Sequence, residues 1–361
     1  MQPPTLPDPL KAPPLPDLAA EPGAATGHIL NQQQILPVVQ VLALPLYWLI
    51  GRELLGFSWI PGIAFMLLAP FGMHSAVLGV GFVVAYLNQH ERRGFRHSRR
   101  RDWLIAYARE AWVSIRQFYW LMPFRERFRP SEPMPPGRGL PLVMVHGYGC
   151  NRGLWLPAAR WFGRRGYRVS ALTLRPMHCS IDVYVQAIAS EVERVKAATG
   201  SRRVALVGHS MGGLAARAYL RHCAERHQDP SLAALITLGT PHRGTHIARI
   251  GIGENARQMH FGAPWLAHLE LHEAQRESAE PGGSGGCRLI TINSLQDNIV
   301  SRPLEQRLSR PGGRAIIVRR QGHMTLATST RILRLIDRIL SRTPARAATT
   351  GAAEPCAAPV D

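Results

Sequence analysis

Apolar residues follow two patterns along this 361-residue chain. In the first quarter they form long uncharged runs, ILPVVQVLALPLYWLI over Ile35 to Ile50 and FSWIPGIAFMLLAPFGMHSAVLGVGFVVAYL over Phe57 to Leu87. The second run exceeds the roughly 20 residues that carry a helix across a bilayer. The first reaches that length only by continuing through Gly51 to Leu55, with Arg52 reaching back to the interface. Two membrane-spanning helices are therefore expected over 35–88. Pro61, Pro70 and Gly72 leave open a re-entrant pair in the second run, and a buried hairpin of a soluble protein is the plain alternative.

After residue 139 the apolar runs shorten and become rich in β-branched residues. LPLVMVHG, GYRVSALTL, RVALVG, LAALITLG, CRLITIN and RAIIVRR read as six strands, separated mainly by stretches of helical period such as Ile181 to Ala198 and Thr325 to Leu340. Alternation of this kind predicts an α/β domain over 140–341, with a mostly parallel sheet of about six strands and helices on both faces. Ligands of such sheets bind beyond the carboxyl ends of the strands, so the residues just after each strand carry the interest.

The remaining segments are polar or mixed. Residues 1–34, rich in Pro and small or acidic residues, bury too little apolar surface to order themselves and are expected to be a disordered tail, as are 342–361. No basic stretch directly precedes an early apolar run, so a secretory leader is not expected. Between the two patterned regions, 89–139 comprises a basic segment, a helix and a Pro-rich linker. Arg92, Arg93, Arg96, Arg99, Arg100 and Arg101 follow the last apolar run, which places that flank and the α/β domain in the cytoplasm by the positive-inside rule. The helix DWLIAYAREAWVSIRQFYWLMP, Asp102 to Pro123, sets Asp102, Arg109, Glu110 and Arg116 on one polar stripe and offers Trp103, Trp112 and Trp120 to a headgroup boundary. A helix packed on the α/β domain is the alternative.

Charge and cysteine content change this picture little. Lys plus Arg total 43 against 24 Asp plus Glu, giving +19, and Lys11 and Lys196 are the only lysines. The positive charge is dispersed or juxtamembrane, and no nucleic-acid recognition module is visible, so no nucleic-acid partner is expected. Cys150, Cys179, Cys223, Cys287 and Cys356 form no C-x-x-C pair and read as free thiols. His222 and His227 lack an acidic partner at metal-ligand spacing, and no metal or other cofactor is expected. Oligomeric state is left open.

The chemistry concentrates where strands end. Gly208-His209-Ser210-Met211-Gly212 fits G-x-S-x-G between a buried strand and a helix, a cramped turn that exposes a serine Oγ above the sheet edge. HGYGCNRGLW after the first strand can set the Tyr148 N–H opposite that of Met211, giving two donors for an oxyanion. Asp297 in INSLQDNIV and His323 in RRQGHMTLA follow later strands, so the chain order is Ser, Asp, His. In that arrangement His323 takes the Ser210 proton and Asp297 fixes the ring tautomer. Glu305 is the one substitute acid, since Asp229 precedes its strand and Asp337 lies within the last helix. His209, His146, His178 and His242 read as packing or pocket lining. An insertion over about 241–286 carries Phe261, Trp265, Leu266 and Leu269, which suggest a lid lining an acyl groove; surface helices packed on the sheet are the alternative. His209, His242, Phe261, Trp265 and Leu266 are the expected substrate-lining residues.

Taken together, VHGYG, GHSMGG, LGTPHRGT, SLQDNIV and GHMTL resemble the α/β-hydrolase superfamily, specifically bacterial triacylglycerol lipases and esterases. The resemblance covers about Leu140 to Leu340. It implies Ser210, Asp297 and His323 as the triad, Tyr148 and Met211 as oxyanion donors, and carboxylic ester hydrolysis through an acyl-enzyme. GTPHRGT also resembles the segment of lipases and of inositol deacylases acting on lipid anchors. The apolar N-terminal region departs from secreted lipases and favours a lipid or other hydrophobic ester at a bacterial inner membrane, with a multi-pass anchor and a cytoplasmic catalytic domain. Acyl transfer on the same triad, and a non-enzymatic membrane scaffold with a hydrolase-like domain, are the competing readings.

Overall fold

The computed structural model describes residues 32–90, 99–128, 139–279, 287–303, 305–306, 308 and 313–343. Most of the two expected tails, Arg92, Arg93 and Arg96 of the basic segment, nearly all of the linker and the end of the insertion lie outside the described residues.

Six strands form the sheet: β1 (Leu142–Val145), β2 (Val169–Ala171), β3 (Val204–His209), β4 (Leu232–Leu238), β5 (Arg288–Ser294) and β6 (Arg314–Val318). Their order is β2-β1-β3-β4-β5-β6, and every pairing is parallel. All six expected strands are present. Parallel pairing directs every carboxyl end to one edge, and this gathers the loops that follow β1, β3, β5 and β6.

Alternation along the strands divides the core into two faces. Leu142, Met144, Val207, Ile236 and Ile292 pack with Trp155, with Phe162 of α4 (Leu156–Gly163) and with Ile332 and Ile336 of α8 (Thr330–Leu340). Val143, Val145, Leu206 and Leu235 pack on the opposite face with Ile188 and Val192 of α5 (Tyr184–Thr199) and Leu214 and Ala218 of α6 (Met211–Glu225). Strands covered on both sides explain why their sequences read as continuous apolar runs.

Ahead of this domain, α1 (Gln32–Leu54) and α2 (Trp59–His90) are each long and apolar enough to cross a membrane. The first helix starts at Gln32, earlier than the expected 35, because the Gln33 and Gln34 side-chain amides donate to the carbonyls of Cys150 and Pro123 and draw these residues out of the tail. Pro61, Pro70 and Gly72 do not break α2, which runs unbroken to His90. Arg52 caps the turn between the helices, donating to Phe57 O at 2.7 Å with its guanidinium facing the Trp48 and Trp59 rings.

Helix α3 (Arg100–Arg116) lies between α2 and the domain. Trp103 packs edge-on to Phe82 and Tyr86 of α2, and Tyr107 donates to Ser75 O at 3.0 Å. Its single polar stripe does not exist as expected. Arg109 and Arg116 are exposed, whereas Asp102 and Glu110 turn inward and are buried. Each buried carboxylate finds donors on the domain, and those hydrogen bonds set the helix rotation. Leu104, Trp112 and Trp120 remain exposed.

Candidate active site

Ser210 stands between β3 and α6 with φ 55° and ψ −127°, a conformation that costs a non-glycine residue on the order of 1–3 kcal/mol and persists where surrounding structure over-determines it. Its N–H donates to Leu238 O of β4 at 2.9 Å, and its carbonyl accepts from Gly213 at 3.0 Å. The turn closes only without side chains. A Cβ on Gly212 would come within 2.4 Å of the Val145 carbonyl oxygen. Met211 is the first residue of α6, so its N–H is among the four that have no partner inside the helix.

The loop after β1 meets this turn. A Cβ on Gly147 would lie 2.7 Å from Ser210 Cβ, so backbone alone approaches the serine there. His146 fixes that backbone: its Nδ1–H donates to Gly147 O at 2.8 Å while its Nε2 accepts the Leu174 N–H at 2.9 Å. The bond accepted at Nε2 requires the neutral ring, and burial holds it neutral by pushing its pKa down to about 4. The Gly147 carbonyl and the Tyr148 N–H belong to one planar peptide, so anchoring the oxygen on His146 aims the N–H away from that ring. His146 is thus a brace for the loop after β1. Only the tertiary contact with Leu174 shows this role.

Asp297 and His323 come together from the loops after β5 and β6. His323 Nδ1 lies 3.1 and 3.0 Å from the Asp297 carboxylate oxygens. Asp297 is buried, and its Oδ1 also accepts N–H groups from Ile299 and Val300 at 2.9 and 2.8 Å, which hold it in place. Burial opposes a charge on His323, but the Asp297 charge and hydrogen bond, with a further contribution from Glu110, outweigh it and raise the imidazole pKa. His209 donates from Nε2 to His323 O at 3.0 Å, with ring centroids 4.6 Å apart. Burial first, and the neighbouring His323 second, keep His209 well below the usual histidine range and hence neutral. The other acids are engaged elsewhere: Glu305 lies beside Arg302, Asp229 beside Arg203 and Asp337 beside Tyr167.

The expected lining residues are less concentrated at the serine. His242 is buried between Thr237 Oγ1 and Arg217 at 3.0 and 3.3 Å, and Arg217 in turn pairs with Glu273 of α7 (Pro264–Ala279) at 2.7 Å. Leu266 is buried in the core face formed with α5 and α6. His242 and Leu266 are thus held by bonded and apolar surroundings, and His209 is held against His323. Trp265, half-buried, donates to Asp182 at 2.8 Å, and half-buried Phe261 stacks on His246 at 4.4 Å. Within the insertion, Ile247, Ile250, Ile252 and Leu271 are exposed, and the Ile252 N–H donates to the Tyr148 hydroxyl at 2.8 Å.

Residues 165–295, which hold β2 through β5 and the serine turn, match the family of the PGAP1-like alpha/beta domain. The matched segment supplies four of the six parallel strands of this α/β domain, whose sheet is covered by helices on both faces. A triacylglycerol lipase of Pseudarthrobacter phenanthrenivorans is 46% identical over 57 residues, 16% of this chain and 16% of the relative. A triacylglycerol lipase of Burkholderia plantarii is likewise 46% identical over 57 residues, 16% of this chain and 14% of the relative. The chain thus matches about one sixth of the length of these relatives. Among solved structures, mature Bacillus licheniformis lipase BlEst2 aligns with 59% of this chain and 97% of its own at 16% identity and a TM-score of 0.47. Aspergillus fumigatus lipase B aligns with 58% of this chain and 55% of its own at 16% identity and a TM-score of 0.48.

Proposed function

We propose that this hydrolase domain cleaves carboxylic esters of lipid-like substrates through an acyl-enzyme, and that α1 and α2 anchor it in a membrane. The observation that carries the reading is the strained Ser210 just after β3 on the same sheet edge as the His323–Asp297 pair. Ser210 Oγ attacks the ester carbonyl while His323 Nε2 accepts its proton. Asp297 holds Nδ1–H and stabilises the imidazolium, and the N–H groups of Tyr148 and Met211 receive the oxyanion. His323 then protonates the leaving alcohol. Water, deprotonated by the same histidine, attacks the acyl-Ser210 ester and releases the acid.

Two further observations support a lipid substrate at a membrane. The exposed faces of α1 and α2 are apolar along most of their length, with Leu54, Ile60, Val77 and Val80 among the most exposed. Ile247, Ile250 and Ile252 are exposed on the insertion, Ile252 being bonded to Tyr148 of the loop after β1. The arginine-rich flank, of which Arg99, Arg100 and Arg101 are exposed, supports the reading that the catalytic domain lies on the cytoplasmic side of a bacterial inner membrane.

Fluorophosphonate labelling of the detergent-solubilised protein beside Ser210→Ala, with esters of increasing acyl length, tests the chemistry. The expected result is labelling and turnover in the parent and neither in the variant. Turnover that survives Ser210→Ala overturns the proposal. Protease accessibility of tagged ends in sealed vesicles tests the topology, and a catalytic domain cleaved from outside right-side-out vesicles overturns the cytoplasmic assignment.

A further inference from the structure

The carboxylate of Glu110 is buried at 0% exposure, and among the described residues no lysine or arginine pairs with it. It belongs to α3, outside the α/β domain, yet both oxygens bond to that domain next to His323. Oε1 accepts the Met324 N–H at 2.5 Å and Oε2 accepts the Thr325 N–H at 2.9 Å. These are the two N–H groups immediately after His323, at the start of a short helical turn, Thr325–Thr328. On the other side of the histidine, a Cβ on Gly322 would fall 2.5 Å from Glu110 Cδ and Oε2, so the carboxylate closes against bare backbone.

Neighbouring contacts converge on the same loop. Asp102, two turns earlier on the same face of α3, is buried and pairs with Arg320 at 2.6 Å. Arg109 donates to Arg320 O at 3.4 Å. Gly81 of α2 lies against Asn298, whose Oδ1 accepts the His323 N–H at 3.2 Å. The N–H groups of residues 323, 324 and 325 are thus taken in turn by Asn298, Glu110 and Glu110.

We propose that Glu110 is a positioning residue for His323, so that the catalytic unit of this protein includes the helix that joins the membrane region to the hydrolase domain. The proposal rests on the reading of His323 as the base. Glu110 does not touch substrate. It acts through the backbone of the histidine loop, and through its charge, which favours the imidazolium formed when Ser210 gives up its proton. A neutral acceptor would satisfy one of the two N–H groups without supplying that charge. The groups that face this carboxylate electrostatically are His323 from the loop after β6 and Asp297 from the loop after β5, while His209 lies against the far side of His323 and Arg320 is held by Asp102. Burial first, and Asp297 in addition, push the Glu110 pKa up to about 7 against the lowering by its backbone hydrogen bonds and His323, which brings its ionisation into the working range of a serine hydrolase.

The test compares the full-length, detergent-solubilised protein with Glu110→Gln, Glu110→Asp, Gly322→Ala and Ser210→Ala, using a short soluble acyl ester across pH, with thermal unfolding run on each. Glu110→Gln is expected to lower kcat about 10- to 100-fold with KM within about twofold, as a misplaced catalytic group does. Its acid limb in kcat/KM is expected at lower pH, because a lost negative charge lowers the His323 pKa. Glu110→Asp keeps the charge but shortens the reach, so its acid limb is expected at the parent position with kcat still reduced. Gly322→Ala is expected to lower kcat without moving KM.

Parent-like kcat and pH profile in Glu110→Gln overturn the proposal. So does a fall in kcat that tracks lost thermal stability with the acid limb unmoved in every variant, which would make Glu110 a brace of the fold alone. If Glu110→Gln does not fold, the proposal is decided by Glu110→Asp and Gly322→Ala, and parent-like kcat in both overturns it. Undiminished turnover in Ser210→Ala is a separate outcome, since it removes the triad reading itself.

Discussion

The N-terminal helices and the α/β domain are built from similar apolar residues put to opposite uses. In the sheet, Val143, Val145, Leu206 and Ile236 are fully buried by one another and by flanking helices. In α1 and α2, Leu54 is 77% exposed, Ile60 82% and Val77 69%. Apolar exposure on that scale is what the proposed membrane anchor needs, and a water-facing surface seldom shows it. The lesson lies at the seam between the two regions. It is not an apolar seam alone: α3 drives two carboxylates, Asp102 and Glu110, into the loop that carries His323. Burial of a charge is tolerated only with directed partners, so this seam holds its geometry more tightly than an apolar contact of the same size.

Removing the base tests the domain side most severely. His323→Ala is expected to lower kcat by up to about a millionfold if Ser210 and His323 act as a unit. Single-turnover ester cleavage reads this, and a loss under tenfold breaks the assignment. Gly147→Ala is expected to cost about 10²- to 10³-fold in kcat, the scale of one lost oxyanion donor, because the new Cβ meets Ser210. An unchanged acyl-ester rate would detach the loop after β1 from the site.

The membrane side is sharpened by Val77→Arg. In water an exposed substitution of this kind stays within about 0.5 kcal/mol. Near the bilayer centre it costs about 3 kcal/mol, which separates the two solvents. The expected outcome is a reduced membrane fraction with domain activity retained, and unchanged partitioning would argue that this face of α2 meets water.

The seam itself has a pH signature. The folded-state pKa of Glu110 is raised from the ordinary 4.5 to about 7, so the folded protein binds more protons than the unfolded chain between those values. Stability from this group is therefore fully present below pH 4.5 and is lost as pH rises to about 7, by at most about 3 kcal/mol. Glu110→Gln is expected to flatten that decline in denaturant titrations across pH, and an unaltered slope would mean that the carboxylate titrates normally. The acid limb of activity runs the other way: His323 works as the base only when neutral, so kcat/KM falls as pH drops through its raised pKa.

Much of this was legible along the chain. Strand runs, the serine turn and the order of Ser210, Asp297 and His323 are local features, set by β-branched apolar residues, by glycines with no room for a Cβ, and by positions just after strands. A parallel sheet then needs no further information to gather those positions, because all its carboxyl ends share one edge. The two long apolar helices were equally plain, since length and lack of charge depend on no partner.

Side-chain partners across distant segments were not legible. Glu110 read as one more polar residue beside Arg109, and periodicity cannot say which side of a mixed helix faces protein. The contact between Glu110 and Met324 joins residues 214 positions apart, and nothing local in either segment announces the other. His146 and His242 read alike as histidines following strands, yet one braces the loop after β1 and the other fills a buried network with Arg217. Local chemistry determines which turns and elements form, because each is governed by neighbours within a few residues. The pairing of buried polar groups is decided only once the chain is folded, because each such group is stable only where a specific distant donor or acceptor meets it.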